Sequence, residues 1–184
     1  MAEASNWVAG ARRILSPNCD SRPAGTEVSL LVLHSISLPR GHYGKVRAGS
    51  AIERLFTNRL DPAEHPSFAD LAGVRVSAHF LVRRDGELIQ FVPLRQRAWH
   101  AGVSRWRGRE RCNDFSVGVE IEGTDDGEFE SAQYECLTRL ARSLQAQLPL
   151  RDIAGHSDIA PGRKTDPGTA FDWTRLLADL ARAK

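Results

Sequence analysis

Short apolar runs along the chain predict buried strands. The run SLLVLHS, residues 29–35, is apolar until it reaches His34, which is typical of a buried strand that ends on a polar residue. The stretch GVRVSAHFLVRRDGELIQFVP, residues 73–93, contains two β-rich runs on either side of Asp85–Gly86, and this pattern predicts a hairpin. Both segments are therefore expected to contribute strands to a sheet.

A further strand is predicted by the strict alternation in FSVGVEIEG, residues 115–123. Its apolar side chains are separated by Gly118, Glu120 and Glu122, so a period of two places both glutamates on one face. A carboxylate in an otherwise apolar strand is costly unless it is paired or has a function. Glu120 is therefore either an outward-facing residue of a half-exposed sheet or a functional group, and periodicity leaves both interpretations open.

Helical periodicity predicts helices within residues 50–58, 130–150 and 171–184. The last of these begins at Asp172, a residue type that favours the N-cap position. Its inward-facing side chains are predicted to be Trp173, Leu176, Leu177 and Leu180. Helices interleaved with strands predict an α/β (α+β) domain in which one sheet is covered by helices.

Composition narrows the class of protein. A chain of 184 residues is close to the size of one ordinary domain, so a single domain over residues 1–184 is expected. Its 41% hydrophobic and 26% charged residues are typical of a globular protein. A net charge of +2 is too small to favour nucleic acid as a partner, and no stretch approaches the roughly 20 apolar residues of a membrane span.

The N-terminus and the cysteines favour a cytoplasmic location. The segment MAEASNWVAGARRIL has an early acidic residue and no apolar core, unlike a secretory signal. Cys19, Cys112 and Cys136 are odd in number and form no CxxC pair, which suits reduced thiols. Because the predicted elements leave no exposed apolar stripe unexplained, a monomer is expected.

The polar segment GHSDIAPGRKTDPG, residues 155–168, is predicted to be a loop that carries chemistry. Together with His34, its residues His156 and Asp166 would supply two imidazoles and one carboxylate. Such a set leaves one tetrahedral position open, as in a catalytic zinc site. If Asp166 binds a metal, Lys164 lies near enough to donate to a developing oxyanion. Six histidines can be grouped in many ways, so ordinary surface or core roles remain alternatives.

The segment SRWRGRER, residues 104–111, interleaves arginine with Trp106 and has two interpretations. It could form a nucleic-acid patch, although the low net charge and the lack of a second basic cluster disfavour this. It could equally hold a small ligand that carries carboxylates, because arginine binds carboxylates with two hydrogen bonds. Trp99 and Trp106 would then either stack on a sugar or belong to the core.

Five segments, taken in order, resemble the AmpD-type N-acetylmuramoyl-L-alanine amidases: LLVLHSISLP, RVSAHFLVRRDGELIQFVP, RAWHAGVS, GRERCNDFSVGVEIEGTD and GHSDIAPGRKTDPG. The resemblance extends from about Trp7 to Trp173, and the chain is more distantly similar to phage amidase-lysozymes and peptidoglycan recognition proteins. It implies a central mixed sheet flanked by helices, with zinc in a groove at one edge. It also implies a cytoplasmic enzyme of peptidoglycan recycling.

The same resemblance assigns roles to five residues considered above. It implies that His34, His156 and Asp166 bind zinc, that Glu120 is the general base, and that Lys164 stabilises the transition state. The expected reaction is hydrolysis of the amide that joins the lactyl group of anhydro-N-acetylmuramic acid to L-alanine. Two alternatives stay open: a muropeptide-binding module without catalysis, and a lytic amidase that acts on the cell wall.

Substrate contacts are implied less directly. The resemblance points to Arg75, Trp99 and Arg111 as residues that contact the muropeptide, with the arginines holding stem-peptide carboxylates. It also points to His79 as a residue that lines or supports the groove. Ser35 stands where the family usually has asparagine, and its shorter side chain reaches less far toward a substrate.

Overall fold

The structure, a computed structural model, describes residues 6–43 and 50–182. The first five residues of the predicted N-terminal segment and the last two of the predicted C-terminal helix lie outside this part of the chain. Within the described ranges, no helix combines the length and the hydrophobicity that crossing a bilayer requires. The cysteine thiols, which were expected to be reduced, are all free.

Ten strands are found in the described residues. They are β1 Arg12–Arg13, β2 Cys19–Ser21, β3 Leu30–Ile36, β4 Phe80–Val82, β5 Leu88–Gln90, β6 Gln96–Ala98, β7 Arg105–Trp106, β8 Arg109–Glu110, β9 Ser116–Glu122 and β10 Asp152–Gly155. The long strands β3 and β9 coincide with the apolar run and the alternating run of the sequence, so both strand predictions are confirmed.

Helices lie between these strands and after the last of them. The α-helices of the described residues are α1 Ala51–Phe56, α2 Ser131–Gln145, α3 His156–Ile159 and α4 Trp173–Ala181. Short 3-10 helices span Pro62–Glu64, Pro66–Leu71 and Cys112–Phe115. Asp172 is the N-cap of α4, as predicted, because its side chain accepts a hydrogen bond from the backbone N–H of Arg175.

Six of the strands form one mixed sheet in the order β1-β5-β4-β9-β3-β10. Strands β4, β9, β3 and β10 run parallel to one another, whereas β5 is antiparallel to β4 and parallel to β1. The carboxyl ends of the four parallel strands therefore meet at one edge. Ligands of open sheets with parallel strands commonly bind at such an edge.

Each face of the sheet has its own core. On one face, α2 and α4 pack against the inward side chains of β3 and β9, among them Leu31, Leu33 and Val119. On the other face, α1 covers the β4–β5 end, and residues after β6 cover the β3–β10 end. His34 lies on this second face, because it follows Leu30 and Val32 at intervals of two along β3.

The structure corrects the loop predicted over residues 155–168. Gly155 ends strand β10, which pairs in parallel with β3, and His156 begins the single turn of α3. The segment DIAG is too short and too polar at its ends to show a strand pattern, so its pairing depends on a neighbour that is distant in the sequence. The remainder of the predicted loop, from Ala160 onward, is non-helical as expected.

Two further predictions were partly wrong. The hairpin around Asp85–Gly86 is present, but its paired strands are only β4 and β5, and residues 74–79 do not belong to a strand. In α4, Leu176 is buried as predicted, whereas Leu177 is 53% exposed. The helix is docked on α2 along a narrow stripe, and Leu177 falls outside it.

Candidate metal centre and catalytic site

The site is built where the carboxyl ends of three parallel strands meet. His34 on β3 is paired in register with Glu120 on the neighbouring strand β9. On the other side of β3, Gly155 of β10 is paired with Leu33, so His156 follows directly beside His34. The sheet register therefore brings together two imidazoles and a carboxylate that are far apart in the sequence.

The third predicted ligand, Asp166, is returned to the same edge by a tightly packed turn. After α3 the chain reverses, and the backbone carbonyl of Asp166 accepts a hydrogen bond of 2.9 Å from the N–H of Ser157. Gly168 has a φ of +98°, and a Cβ there would lie 1.9 Å from the carbonyl oxygen of Asp125. A side chain at Gly168 would therefore push the Asp166 segment away from the turn that follows β9.

Three ligand atoms converge at this point. The Nδ1 atoms of His34 and His156 lie 2.9 Å apart, and each lies 3.1 Å from Oδ2 of Asp166. In a tetrahedral zinc site with bonds of about 2.0 Å, the ligand atoms lie about 3.3 Å from one another, so this triangle is only slightly tighter. Among residues 6–43 and 50–182, this is the one cluster of at least three such side chains with converging ligand atoms.

The hydrogen bonds of His156 show why a cation fits the triangle. Its Nε2 lies 3.2 Å from the carbonyl oxygen of Ala101, which can only accept, so Nε2 carries the proton and Nδ1 presents a lone pair. That lone pair faces Nδ1 of His34 and a carboxylate oxygen of Asp166. Two imidazole nitrogens and one carboxylate oxygen form the donor set of a catalytic zinc site with an open position.

The protonation states also suit metal binding. Burial lowers the pKa of His34 to about 4, although its hydrogen bond with Asp166 opposes this change. Burial acts to raise the pKa of Asp166, but hydrogen bonds with His156 and His34 outweigh it and hold that pKa well below its usual range. At neutral pH His34 is therefore a neutral imidazole and Asp166 is ionised, which are the forms that bind a metal.

Glu120 presents a buried carboxylate oxygen to the same cleft. Its Oε2 is inaccessible to solvent and has no hydrogen-bond partner. Burial, reinforced by the negative charge of Asp166, raises the pKa of Glu120 to about 8, and the positive charge of Lys164 opposes this change. A carboxyl group with a pKa near neutrality can both accept and return a proton. The outward-facing surface interpretation of Glu120 is therefore not supported.

Lys164 lies at the mouth of the same cleft, on the turn between α3 and Asp166. Its side chain is exposed and lines the cleft together with Glu120 and the three candidate ligands. The cleft has a volume of about 240 Å³. Its remaining wall is largely apolar and is formed by Ile36, Leu55, Phe56, Val76 and Trp99.

The candidate substrate contacts are distributed unevenly. Trp99 and Ser35 line the cleft, and Arg75 is an exposed residue next to the lining residue Val76. Arg111 lies instead in a neighbouring groove of about 530 Å³ with an apolar floor, where Val103 and Arg163 also lie. Arg111 is held there by an ion pair of 3.3 Å with Asp114.

His79 has no exposed surface with which to contact a substrate, so of the two roles expected for it only support of the groove remains. The side chain is completely buried, and its Nδ1 accepts a hydrogen bond of 3.0 Å from the backbone N–H of Gly118. Its Nε2 lies 3.1 Å from the carbonyl oxygen of Gln96. Its ring centroid lies 6.0 Å from that of His100, a residue that lines the cleft. His79 can therefore support the wall of the cleft but has no surface within it.

Some residues of the site had no assigned role at the level of sequence. His100 lines the cleft and touches His34, and Arg163 donates a hydrogen bond of 2.8 Å to the carbonyl of Ala101. His100 was present in the segment RAWHAGVS, but a lone histidine after a tryptophan gives no indication of its neighbour in space. Trp106 is a structural residue, because its Nε1–H donates to the carboxylate of Asp152 at 3.0 Å.

Comparisons with known proteins agree with this geometry. Residues 24–169 match the sequence profile of the N-acetylmuramoyl-L-alanine amidase family. The 1,6-anhydro-N-acetylmuramyl-L-alanine amidase AmpD of Escherichia coli (strain K12) is 54% identical over 172 residues. The aligned region covers 92% of this chain and 92% of that protein.

Solved structures show the same relationship. The crystal structure of a selenomethionine derivative of AmpD superposes with a TM-score of 0.91 at 51% identity, covering 98% of this chain and 99% of that one. The amidase AmiD of Escherichia coli, solved with the substrate anhydro-N-acetylmuramic acid-L-Ala-D-γ-Glu-L-Lys, gives a TM-score of 0.60 at 30% identity. That match covers 86% of this chain and 60% of AmiD. The chain belongs to the N-acetylmuramoyl-L-alanine amidase family.

Proposed function

We propose that this protein is a zinc-dependent amidase of 1,6-anhydro-muropeptides. The bond cleaved joins the lactyl carbonyl of anhydro-N-acetylmuramic acid to the nitrogen of L-alanine, and water supplies the oxygen and the protons of the products. The observation that carries this proposal is the convergence of three ligand atoms in a cleft that the buried carboxyl group of Glu120 also lines. The substrate class rests on the relatives, which are named as amidases of this compound.

The metal would be held by Nδ1 of His34, Nδ1 of His156 and Oδ2 of Asp166. These atoms fit zinc because their mutual distances of 2.9–3.1 Å suit a tetrahedral ion and because three protein ligands leave one position open. When bound, zinc lowers the pKa of a coordinated water to about 7 and polarises a carbonyl oxygen.

Glu120 and Lys164 supply the proton transfer and the charge stabilisation. The carboxylate of Glu120 accepts a proton from the attacking water and returns it to the alanine nitrogen as the C–N bond breaks. In the metal-free protein, burial raises the pKa of this carboxylate. The positive charge of a bound cation would oppose that rise, so the group would be ionised before it accepts the proton. The Lys164 ammonium stands at the mouth of the cleft, where it can stabilise the negative charge that develops on the carbonyl oxygen.

The walls of the site suit an amphipathic sugar-peptide. Trp99 and the other apolar lining residues offer a surface against which a sugar ring can pack. Arg111 and Arg163 border the neighbouring groove, and Arg75 is exposed beside the cleft, so the carboxylates of a stem peptide would meet guanidinium groups. The basic hairpin Arg105–Glu110 then serves a small acidic ligand rather than nucleic acid.

The enzyme is proposed to act as a monomer in cytoplasmic peptidoglycan recycling. The free cysteines and the small anhydro-muropeptide substrates of its relatives favour this setting over lysis of the cell wall. A module that only binds muropeptides is disfavoured, because such a module would have no need of an unpaired buried carboxylate beside a metal site.

A single assay separates these alternatives. Purified protein of known metal content is incubated with anhydro-N-acetylmuramyl-L-Ala-D-γ-Glu-L-Lys and, separately, with intact sacculi, and the products are identified by mass spectrometry. We expect anhydro-N-acetylmuramic acid and free peptide from the first substrate only, with the activity lost on chelation and restored by Zn²⁺. Binding without cleavage would establish a binding module, and degradation of sacculi would establish a lytic enzyme.

A further inference from the structure

His100, which follows strand β6 and lines the cleft, touches the candidate ligand His34. Its Nδ1 lies 2.9 Å from Nε2 of His34, and the two rings meet nearly at right angles, at 85°. On its other side, Nε2 of His100 lies 3.1 Å from Oγ of Ser116 on β9. The ring therefore connects a candidate metal ligand to a hydroxyl of the central sheet.

One arrangement of protons satisfies all of these contacts when a cation is present. His34 must present an unprotonated Nδ1 to the metal, so its proton lies on Nε2 and is donated to Nδ1 of His100. The proton of His100 then lies on Nε2 and is donated to Oγ of Ser116. Each nitrogen has one partner of the correct kind, and the tautomer of His34 follows from its neighbour.

The ring of His100 is confined to its position. It packs directly on Gly118 of β9, where an added Cβ would lie 2.4 Å from Cγ of His100. Its backbone N–H and that of Ala101 both donate to Oδ1 of Asn113, at 3.1 and 2.8 Å. The side chain and the backbone of His100 are thus held by two separate elements.

Ala101, the residue after His100, accepts a hydrogen bond from the other candidate histidine ligand, His156. The carbonyl of Ala101 accepts the Nε2–H of His156 at 3.2 Å. Two consecutive residues therefore contact the distal nitrogens of both histidines of the metal triangle. Partners of this kind orient a ligating imidazole and increase its affinity for the metal.

We propose that His100 is a positioning residue for the metal centre, and that its Nδ1 fixes the tautomer and the orientation of His34. This inference rests on the proposed zinc site, but it makes a separate claim about a hydrogen-bond acceptor. His100 bonds neither to the metal nor to substrate in this proposal; it acts through His34.

The test compares His100→Leu with His100→Asn. Leucine and asparagine have nearly the same shape, but only the Oδ1 of asparagine can replace Nδ1 as an acceptor. The affinity of each purified protein for Zn²⁺ is measured by competition with a chromogenic chelator at pH 7.5. We expect a loss of about 10–100-fold for His100→Leu and recovery of most of that loss in His100→Asn.

His79→Leu is the matched control, because His79 is also a buried histidine near this wall but touches none of the three ligands. Its stability should fall while its affinity for Zn²⁺ stays within about twofold of the wild type. Ser116→Ala is a second, milder variant that keeps the His100 ring but removes its hydroxyl partner. We expect it to bind Zn²⁺ several-fold more weakly, which also provides a test if His100→Leu does not fold.

Equal zinc affinities for folded His100→Leu and His100→Asn proteins would overturn the proposal, since the acceptor would then be irrelevant. If His100→Leu does not fold, an unchanged affinity of Ser116→Ala for Zn²⁺ would overturn the proposal instead. These failures are distinct from failure of the proposed function, which would appear as a wild-type protein that binds no Zn²⁺ or does not cleave the muropeptide.

Discussion

His34 and Glu120 are direct partners across the parallel strands β3 and β9, with their side chains on the same face of the sheet. A candidate metal ligand and a candidate proton acceptor are therefore held in fixed relation by backbone hydrogen bonds rather than by loops. Sites built on strands maintain the geometry of their side chains more precisely than sites built on loops. The predictions below follow from this arrangement.

Removal of the carboxylate ligand should remove the metal. In Asp166→Ala two imidazoles remain, and we expect the affinity for Zn²⁺ to fall by at least about 100-fold, with loss of activity. Metal content after dialysis, measured by atomic emission, tests this directly. Asp158→Ala is a control on the same short segment, because its carboxylate accepts a hydrogen bond from the backbone N–H of Gly155 and is not among the three converging ligands. Undiminished zinc in Asp166→Ala would remove this residue from the ligand set.

Glu120→Gln should separate metal binding from catalysis. The amide preserves the shape of the side chain but cannot accept the proton of water, so kcat should fall by about 10²–10⁴-fold while one zinc ion per chain is retained. Glu135→Gln, on the exposed face of α2, should turn over at the wild-type rate. A Glu120→Gln protein with normal zinc content and normal kcat would show that another group is the base.

The same substitution should change the pH dependence of stability in the metal-free protein. The pKa of Glu120 is raised from 4.5 to about 8, so the folded state resists its ionisation and loses stability as the pH rises between these values. Glu120→Gln should therefore be more stable than the wild type at pH 8.5 and no more stable at pH 4.5.

The rise in the pKa of Glu120 limits the stabilisation by Glu120→Gln at pH 8.5 to about 5 kcal/mol. We expect about 2 kcal/mol, because the Glu120 side chain is partly exposed to solvent. Urea denaturation at the two pH values, with Glu135→Gln as the control, gives the free energies of unfolding. A stabilisation of equal size at both pH values would contradict the assignment of a raised pKa to Glu120.

Lys164→Met should lower kcat more than it raises KM. The ammonium is proposed to interact with charge that exists only in the transition state, so its loss should cost about 10²–10³-fold in kcat. Lys164→Arg should recover part of the rate, because it keeps the positive charge. An increase confined to KM would instead identify Lys164 as a residue that binds the ground state of the substrate.

The two adjacent leucines of α4 should differ strongly in their contributions to stability. Leu176 is 1% exposed between α4 and the core, whereas Leu177 is 53% exposed. Leu176→Ala should lower the free energy of unfolding by about 2–5 kcal/mol, and Leu177→Ala by less than about 1 kcal/mol. Chemical denaturation of both variants tests the placement of this helix, and similar losses would contradict it.

The sequence allowed the sheet to be predicted where its strands are long. The alternation in residues 115–123 placed Glu120 on the face opposite Val119, and the apolar run ending at His34 predicted β3. Each strand has seven residues, of which at least five are buried, so their patterns reflect the environment of the sheet. Strand β10 was missed because four residues are too few for a pattern.

Contacts between distant segments were the part that the sequence could not supply. The ligand set was one of many groupings of six histidines until the resemblance selected it. The partnership of His100 with His34 depends on how the segment after β6 folds over β9, which local propensity does not encode. The partial exposure pattern of α4 likewise depends on the angle at which the helix docks.

The distance along the chain between His34 and Asp166 has a mechanical consequence. These two residues are 132 positions apart, and one cation bonded to both would act as a clasp between the third strand and the C-terminal region. Because this site is assembled only in the folded chain, the free energy of cation binding stabilises the folded state directly. Occupancy of the centre would therefore also govern how readily proteases cut the polypeptide beyond α3, so depletion of the cation would shorten the lifetime of the protein as well as stop its turnover.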